Sequence, residues 1–348
     1  MSAMRDRWKR LVAAAGWTAL IALILHPLCL ILFRLMIFDT LPRDDYAPML
    51  LWWLGQPGAV PPTSPYGYRV MSMLAAVPFY HLLPSFALTN LPGNLTPEYV
   101  RATAALAAVS FVALTASAVM AYRLAVDRFG LGRPEGIFAA LFVLLAQLYA
   151  SPFGVDPLAI CVVVLALYFI ERVSVFAVIL VASVLVNEKI AILFVVWLTI
   201  RCVLCADDRR LLGPQWLASI AAIVAYVALL AVVRLPGHGE QLDPGVYFPT
   251  LVQNVAASVT TTRGLMFNIV PCALLIGVVA WSWRTLGWQR HRIYARLDLL
   301  AIPALAGVAL ILTQYFQVGR IVAHGAPLFI WPVAQAFGMW ARRPPGTE

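Results

Sequence analysis

Residues 69–90 read RVMSMLAAVPFYHLLPSFALTN. The stretch is long enough to cross a bilayer, which takes about 20 apolar residues. It also carries Pro78, His81 and Pro84, which leave the reading as a spanning helix ambiguous. Whether it crosses decides which side of the membrane every earlier or later loop faces.

The surrounding chain makes a membrane the frame of the question. Of 348 residues, 62% are hydrophobic and only 12% charged; a soluble domain is about 25% charged. Apolar runs recur from end to end without the polar alternation of barrel strands, so the fold class is an all-α polytopic membrane protein. The runs are roughly 11–33, 100–122, 136–150, 157–171, 173–187, 189–204, 214–234, 262–282, 298–316 and 321–340, which predicts about 10 transmembrane helices. MSAMRDRWKR precedes the first run, Leu11 to Phe33, which is too long for a signal-peptide core and reads as a retained first helix.

The basic residues orient the chain. If 69–90 does not cross and the N-terminus is cytoplasmic, about 17 of the 25 Lys and Arg lie inside. If it crosses with the N-terminus inside, only about 9 do, and that arrangement is rejected. If it crosses with the N-terminus outside, the split is about 16 to 9. Arg5, Arg7, Lys9 and Arg10 crowd one end of the first helix, which favours the first arrangement. Both termini are then cytoplasmic. Residues 34–99 form a large external loop with two helices lying along the membrane, roughly 45–55 and 69–89, joined by the Pro-rich QPGAVPPTSP. No soluble domain, low-complexity tract or repeat is visible. The net charge of +9 is spread in short clusters between apolar runs, so it does not signal nucleic acid. Cys202 and Cys205 form a lone CxxC with no nearby histidine, which argues against a zinc site, and they are read as ordinary cysteines of apolar segments.

Two predicted hairpins are short. SPFGVDP joins 136–150 to 157–171, and NEK joins 173–187 to 189–204. Fifteen helical residues reach about 22 Å, so Asp156, Glu188 and Lys189 should sit below the surface, in a cavity or a thinned region. A charge at that depth is costly and is a functional candidate.

The candidates follow from charges that abut apolar runs. Asp44 and Asp45 in PRDDYAP are either a general base, a pair able to hold a divalent cation, or a solvated helix cap. Glu188 and Lys189 are either a self-compensated pair or, respectively, a hydroxyl-orienting carboxylate and a contact for an anionic headgroup. Arg69, Arg263 and Arg320 sit at outer ends of apolar segments, where each either snorkels to lipid phosphate or clamps a phosphate ligand. His324, Tyr66, Tyr68 and Gln317 are secondary candidates. His26, His81, His238 and His291 lack metal-ligand spacing and are read as structural. No Gly-rich phosphate loop, GxSxG or HExxH motif occurs, which argues against ATP-driven transport and serine-hydrolase chemistry.

A first helix from the cytoplasm, an acidic motif opening a long external loop, and a bundle of uneven helices resemble the GT-C superfamily of membrane glycosyltransferases. SPYGYRV and NEK look like pieces of bacterial members. The resemblance covers roughly residues 1–205 as a conserved membrane module, with 206–348 as C-terminal helices. It implies a bacterial inner-membrane enzyme that moves a sugar from a polyprenyl-phosphate donor to an envelope acceptor, with inversion. Asp44 or Asp45 would be the catalytic base, and Arg69, Tyr68, Glu188, Lys189, Arg263, Arg320 and His324 would bind the substrate. It implies no cofactor, although two adjacent acids can hold a divalent cation. The acids are adjacent rather than one residue apart, and no large external C-terminal domain is visible, both departures from the family. Two further readings stand beside it: a transporter or flippase of lipid-linked saccharides, and a non-catalytic subunit of an envelope complex.

Overall fold

The computed structural model describes residues 2–38, 41, 46–57, 59, 61–62, 69–84, 95–147, 153–204, 206–233, 252–253, 256–257, 259–286 and 318–342. All the regular structure among them is helical: α1 (Ser2–Phe38), α2 (Tyr46–Trp53), α3 (Val70–Leu82), α4 (Pro97–Arg123), α5 (Arg133–Ala146), α6 (Val155–Tyr168), α7 (Val173–Ser183), α8 (Lys189–Leu204), α9 (Ala206–Val232), α10 (Val270–Leu286), α11 (Val318–Gly325) and α12 (Ile330–Arg342). A π-helical turn, Leu124–Arg128, continues α4. A single turn, Thr262–Gly264, and a π-helical turn, Leu265–Ile269, lead into α10.

The expectation of about ten transmembrane helices is overturned. Among the described residues, four helical stretches are long and apolar enough to cross: Ala14–Ile37, Pro97–Arg128, Leu212–Val232 and Thr262–Leu286. The other apolar runs contain shorter helices. α5 and α6 have 14 residues each, α7 has 11 and α12 has 13. At 1.5 Å per residue the longest of these reaches about 21 Å, against a hydrocarbon core of about 30 Å. α8 has 16 residues and carries Lys189 and Arg201 at its two ends. The run 298–316 lies outside the described residues. The chain is thus an all-α protein with several membrane-length apolar helices, the make-up of a multi-pass membrane protein.

The stretch 69–90 resolves in the same way. Its helix, α3, is 13 residues long and stops before Pro84, as the restricted backbone ahead of a proline favours. Arg101 Nη2 donates to the His81 carbonyl at 3.2 Å, and its guanidinium lies over the Tyr80 ring. This satisfies one of the orphan carbonyls at the end of α3.

α4 is the axis of the first half and packs against α1, α2, α3, α5 and α6. Its buried face is rich in small residues, among them Ala102, Ala105, Ala107, Ser110, Ala113, Ser117, Ala118 and Ala121, which let neighbouring backbones approach closely. The hydroxyls on that face do not remain orphaned: Thr103, Ser110 and Ser117 donate to the carbonyls of Tyr99, Leu106 and Ala113. The second half packs α7 and α8 on α9, with Phe176, Phe194 and Trp197 in edge-to-face contact. α12 closes on α5 and α10, and Phe138 stacks on Phe337 at 4.0 Å. α1 and α9 leave large apolar side chains such as Trp17, Ile21, Leu217 and Val224 exposed, as helices bordering lipid do.

Candidate functional site

Five separate elements deliver polar side chains to one buried place. Arg69 is the residue that caps the start of α3. Glu188 and Lys189 stand at the start of α8, where the Asn187 side-chain oxygen accepts the Lys189 backbone N–H at 3.2 Å. Asp156 is the second residue of α6, and Tyr46 is the first of α2. Arg320 and His324 lie four residues apart on α11, so they project from one face of that helix.

Two ion pairs organise the cluster. Arg69 donates to Glu188 through Nε (3.0 Å) and Nη2 (2.5 Å), and through Nη1 to the Tyr46 hydroxyl (3.2 Å). A backbone bond from Met71 N–H to the Leu185 carbonyl (3.0 Å) joins the same two segments. Arg320 grips Asp156 through Nε to Oδ2 and Nη2 to Oδ1, the latter at 2.9 Å. Both are the forked geometry in which guanidinium holds carboxylate best. Asp156 is fully buried and Arg69 is 4% exposed, so Arg69 does not snorkel to the surface.

Gly154 makes room for this. Its φ of +71° is a left-handed conformation that costs a side-chain-bearing residue energy. The Tyr46 ring lies 3.2 Å from where its Cβ would be. Its N–H donates to Ser110 Oγ at 3.0 Å, which fixes the turn immediately ahead of Asp156.

The charges reshape one another. Burial works against Glu188's charge, but the Arg69 guanidinium more than offsets it and holds the carboxyl down at about 2. Burial also opposes the charge on Asp156, and the Arg320 guanidinium beside it holds that carboxyl well below the usual range. Burial pushes Tyr46 up to about 12. Burial, with repulsion from Arg69, pushes Lys189 down to about 8.

Lys189 is the exception to the pairing. Among the described residues its ammonium has no ion pair or hydrogen bond, although the charges of Arg69, Glu188, Arg320 and Asp156 all reach it. Leaving the imidazole aside, three cations face two carboxylates among the described residues, an excess there of one positive charge. The starts of α2, α3, α6 and α8 add the positive ends of their helix dipoles. The arrangement suits an anion.

His324 is 3% exposed. Its Nε2 lies 3.2 Å from Asp156 Oδ1, and neither ring nitrogen makes a hydrogen bond among the described residues. An unsatisfied buried polar atom costs about 1–3 kcal/mol, so a ligand that met it would be repaid.

Of the residues singled out in the sequence, Arg69, Glu188, Lys189, Arg320 and His324 come together. Arg263 is exposed in the turn before α10. Asp44, Asp45, Tyr66, Tyr68 and Gln317 lie outside the described residues. Tyr46 was not among the candidates, and Asp156 was noted for its depth without a role. No group of three His, Cys, Asp or Glu able to hold a metal occurs among the described residues. No protein-family model, no curated protein and no solved structure matches the chain.

Proposed function

We propose that this cluster binds the phosphate of a lipid-linked sugar and that the protein is a membrane glycosyltransferase acting on a polyprenyl-phosphate donor. The observation that carries the reading is the Lys189 ammonium, which among the described residues has no partner and sits in a buried cluster whose described charges sum to one positive. In a dry site, fixed cations act most strongly where negative charge develops.

The carboxylates of the cluster support a division of labour. Glu188 and Asp156 are locked to guanidinium groups and held ionised, so they are weak proton acceptors. The base falls to Asp44 or Asp45, which immediately precede Tyr46, a member of the cluster. The acceptor hydroxyl gives its proton to that carboxylate as its oxygen bonds to the anomeric carbon. The bond from that carbon to the phosphate oxygen breaks, its electron pair leaves with the lipid phosphate, and the carbon inverts. The phosphate passes from one negative charge to two, and Lys189, backed by Arg69 and Arg320, stabilises the increase.

The test is sugar transfer in membranes from a synthetic polyprenyl-phosphate sugar. Asp44→Asn with Asp45→Asn should lower transfer by about a hundredfold or more, the scale of a general base. Undiminished transfer would sink the enzyme reading. A flippase of the same lipid would need the cations but not the acids, so lipid movement that survives the double variant would favour transport.

A further inference from the structure

We propose that His324 is the contact that reads the sugar: it hydrogen-bonds hydroxyl groups of a glycosyl phosphate whose phosphoryl group rests at Lys189. This rests on the phosphate-binding reading above and adds the half of the ligand that reading leaves unassigned.

Buried polar atoms in folded proteins almost always have partners, and His324 keeps two ring nitrogens buried without one among the described residues. The nearest carboxylate does not supply it. Asp156 Oδ1 lies 3.2 Å from Nε2 without a hydrogen bond, and nothing described meets Nδ1. His324 shares a helix face with Arg320 and stands 3.2 Å from Asp156, and α11 packs against α8, which begins at Lys189. The imidazole therefore borders the anion site and has hydrogen-bonding capacity to spare.

The chemistry of the ring selects the partner. A neutral imidazole offers one donor and one acceptor. An ionised phosphoryl oxygen only accepts, so it could satisfy one nitrogen at most, and three cations already compete for it. A hydroxyl both donates and accepts. Two hydroxyls of one sugar ring can meet both nitrogens, which a simple alkyl phosphate cannot.

The purified protein in lipid nanodiscs is titrated calorimetrically with ethyl phosphate, α-D-glucose 1-phosphate and α-D-mannose 1-phosphate. At least one sugar phosphate should bind about tenfold more tightly than ethyl phosphate, the worth of one or two good hydrogen bonds. His324→Phe should shrink that preference to about twofold or less while leaving ethyl phosphate binding within about twofold. His324→Gln, which keeps a donor and an acceptor, should fall between, and it serves if the Phe variant does not fold. The proposal is overturned if the unaltered protein shows no preference, if the preference survives in both variants, or if sugar and ethyl phosphates weaken equally. Lys189→Met separates the two layers: it should abolish ethyl phosphate binding. If ethyl phosphate binds equally well to that variant, or not at all to the unaltered protein, the phosphate reading itself fails, and this inference with it.

Discussion

Arg69 and Glu188 stand 119 residues apart in the chain and meet in a forked, buried ion pair. The pair ties the start of α3 to the start of α8, and through the Tyr46 hydroxyl it also holds α2. The segment that follows α1 is thereby fastened to the second half of the bundle at the cation cluster.

Removing one partner should be worse than removing both. Arg69→Met leaves Glu188 buried without its guanidinium, at a cost of about 3–5 kcal/mol, and Glu188→Met removes the carboxylate that Arg69 grips. The double variant should recover most of that stability but not phosphate binding. Thermal unfolding in detergent, arranged as a double-mutant cycle, measures the coupling. The pH dependence has a defined sign. Glu188's folded pKa lies below its ordinary 4.5, at about 2, so its contribution is complete above about 4.5 and is lost as pH falls toward 2. Glu188→Gln should flatten that acid limb.

Lys189 gives the opposite limb. Its pKa falls from the ordinary 10.5 to about 8. Phosphate affinity that depends on the ammonium should be present below about pH 8 and lost as pH rises through it. Lys189→Arg should extend binding to about pH 10, because guanidinium stays charged. Stability runs the other way: between about 8 and 10.5 the unfolded chain binds more protons than the folded one, so stability rises with pH there. Ethyl phosphate titrations at pH 7, 8 and 9 check the first claim. Affinity that does not change across that range would remove Lys189 from the site.

The sequence made the cations of this site legible and hid their pairing. Arg69, Lys189 and Arg320 stood out because each interrupts an apolar run, and Glu188 and His324 stood beside them. Nothing local says that Arg320 will hold Asp156, 164 residues earlier, because ion-pair partners are chosen by packing. Tyr46 was invisible for a related reason: a tyrosine opening a short helix has no pattern to mark its hydroxyl as Arg69's third contact. The count of ten crossings failed because an apolar run reports hydrophobicity, not continuous helix. Runs 157–171 and 173–187 hold helices of 14 and 11 residues, with the chain turning at their ends around the same buried charges.

Gly154 should not accept a side chain. Gly154→Ala forces a positive φ on an L-residue, about 1–2 kcal/mol, and presses Cβ toward the Tyr46 ring. A drop in unfolding temperature, accompanied by weaker ethyl phosphate binding, is the expected result. Loss of stability with unaltered binding would mean that this turn does not position Asp156 for the site.

Gly319 tests whether α11 must sit where it does. A Cβ there would run into the backbone oxygen of Phe267 and lie 2.6 Å from Pro271 Cγ. Neither can swing aside as a flexible side-chain tip would, so Gly319→Ala has to push α11 away from the turn before α10. Arg320 is the next residue and His324 lies one turn further on, so both should withdraw from Asp156 together. The expected outcome is a loss of about 1–3 kcal/mol, as for overpacking, with phosphate affinity and sugar preference falling together. Lys189→Met, by contrast, should remove affinity without lowering the unfolding temperature, since it deletes a buried charge that has no partner among the described residues. The two variants thus separate a site lost through displaced scaffolding from a site lost through a missing charge.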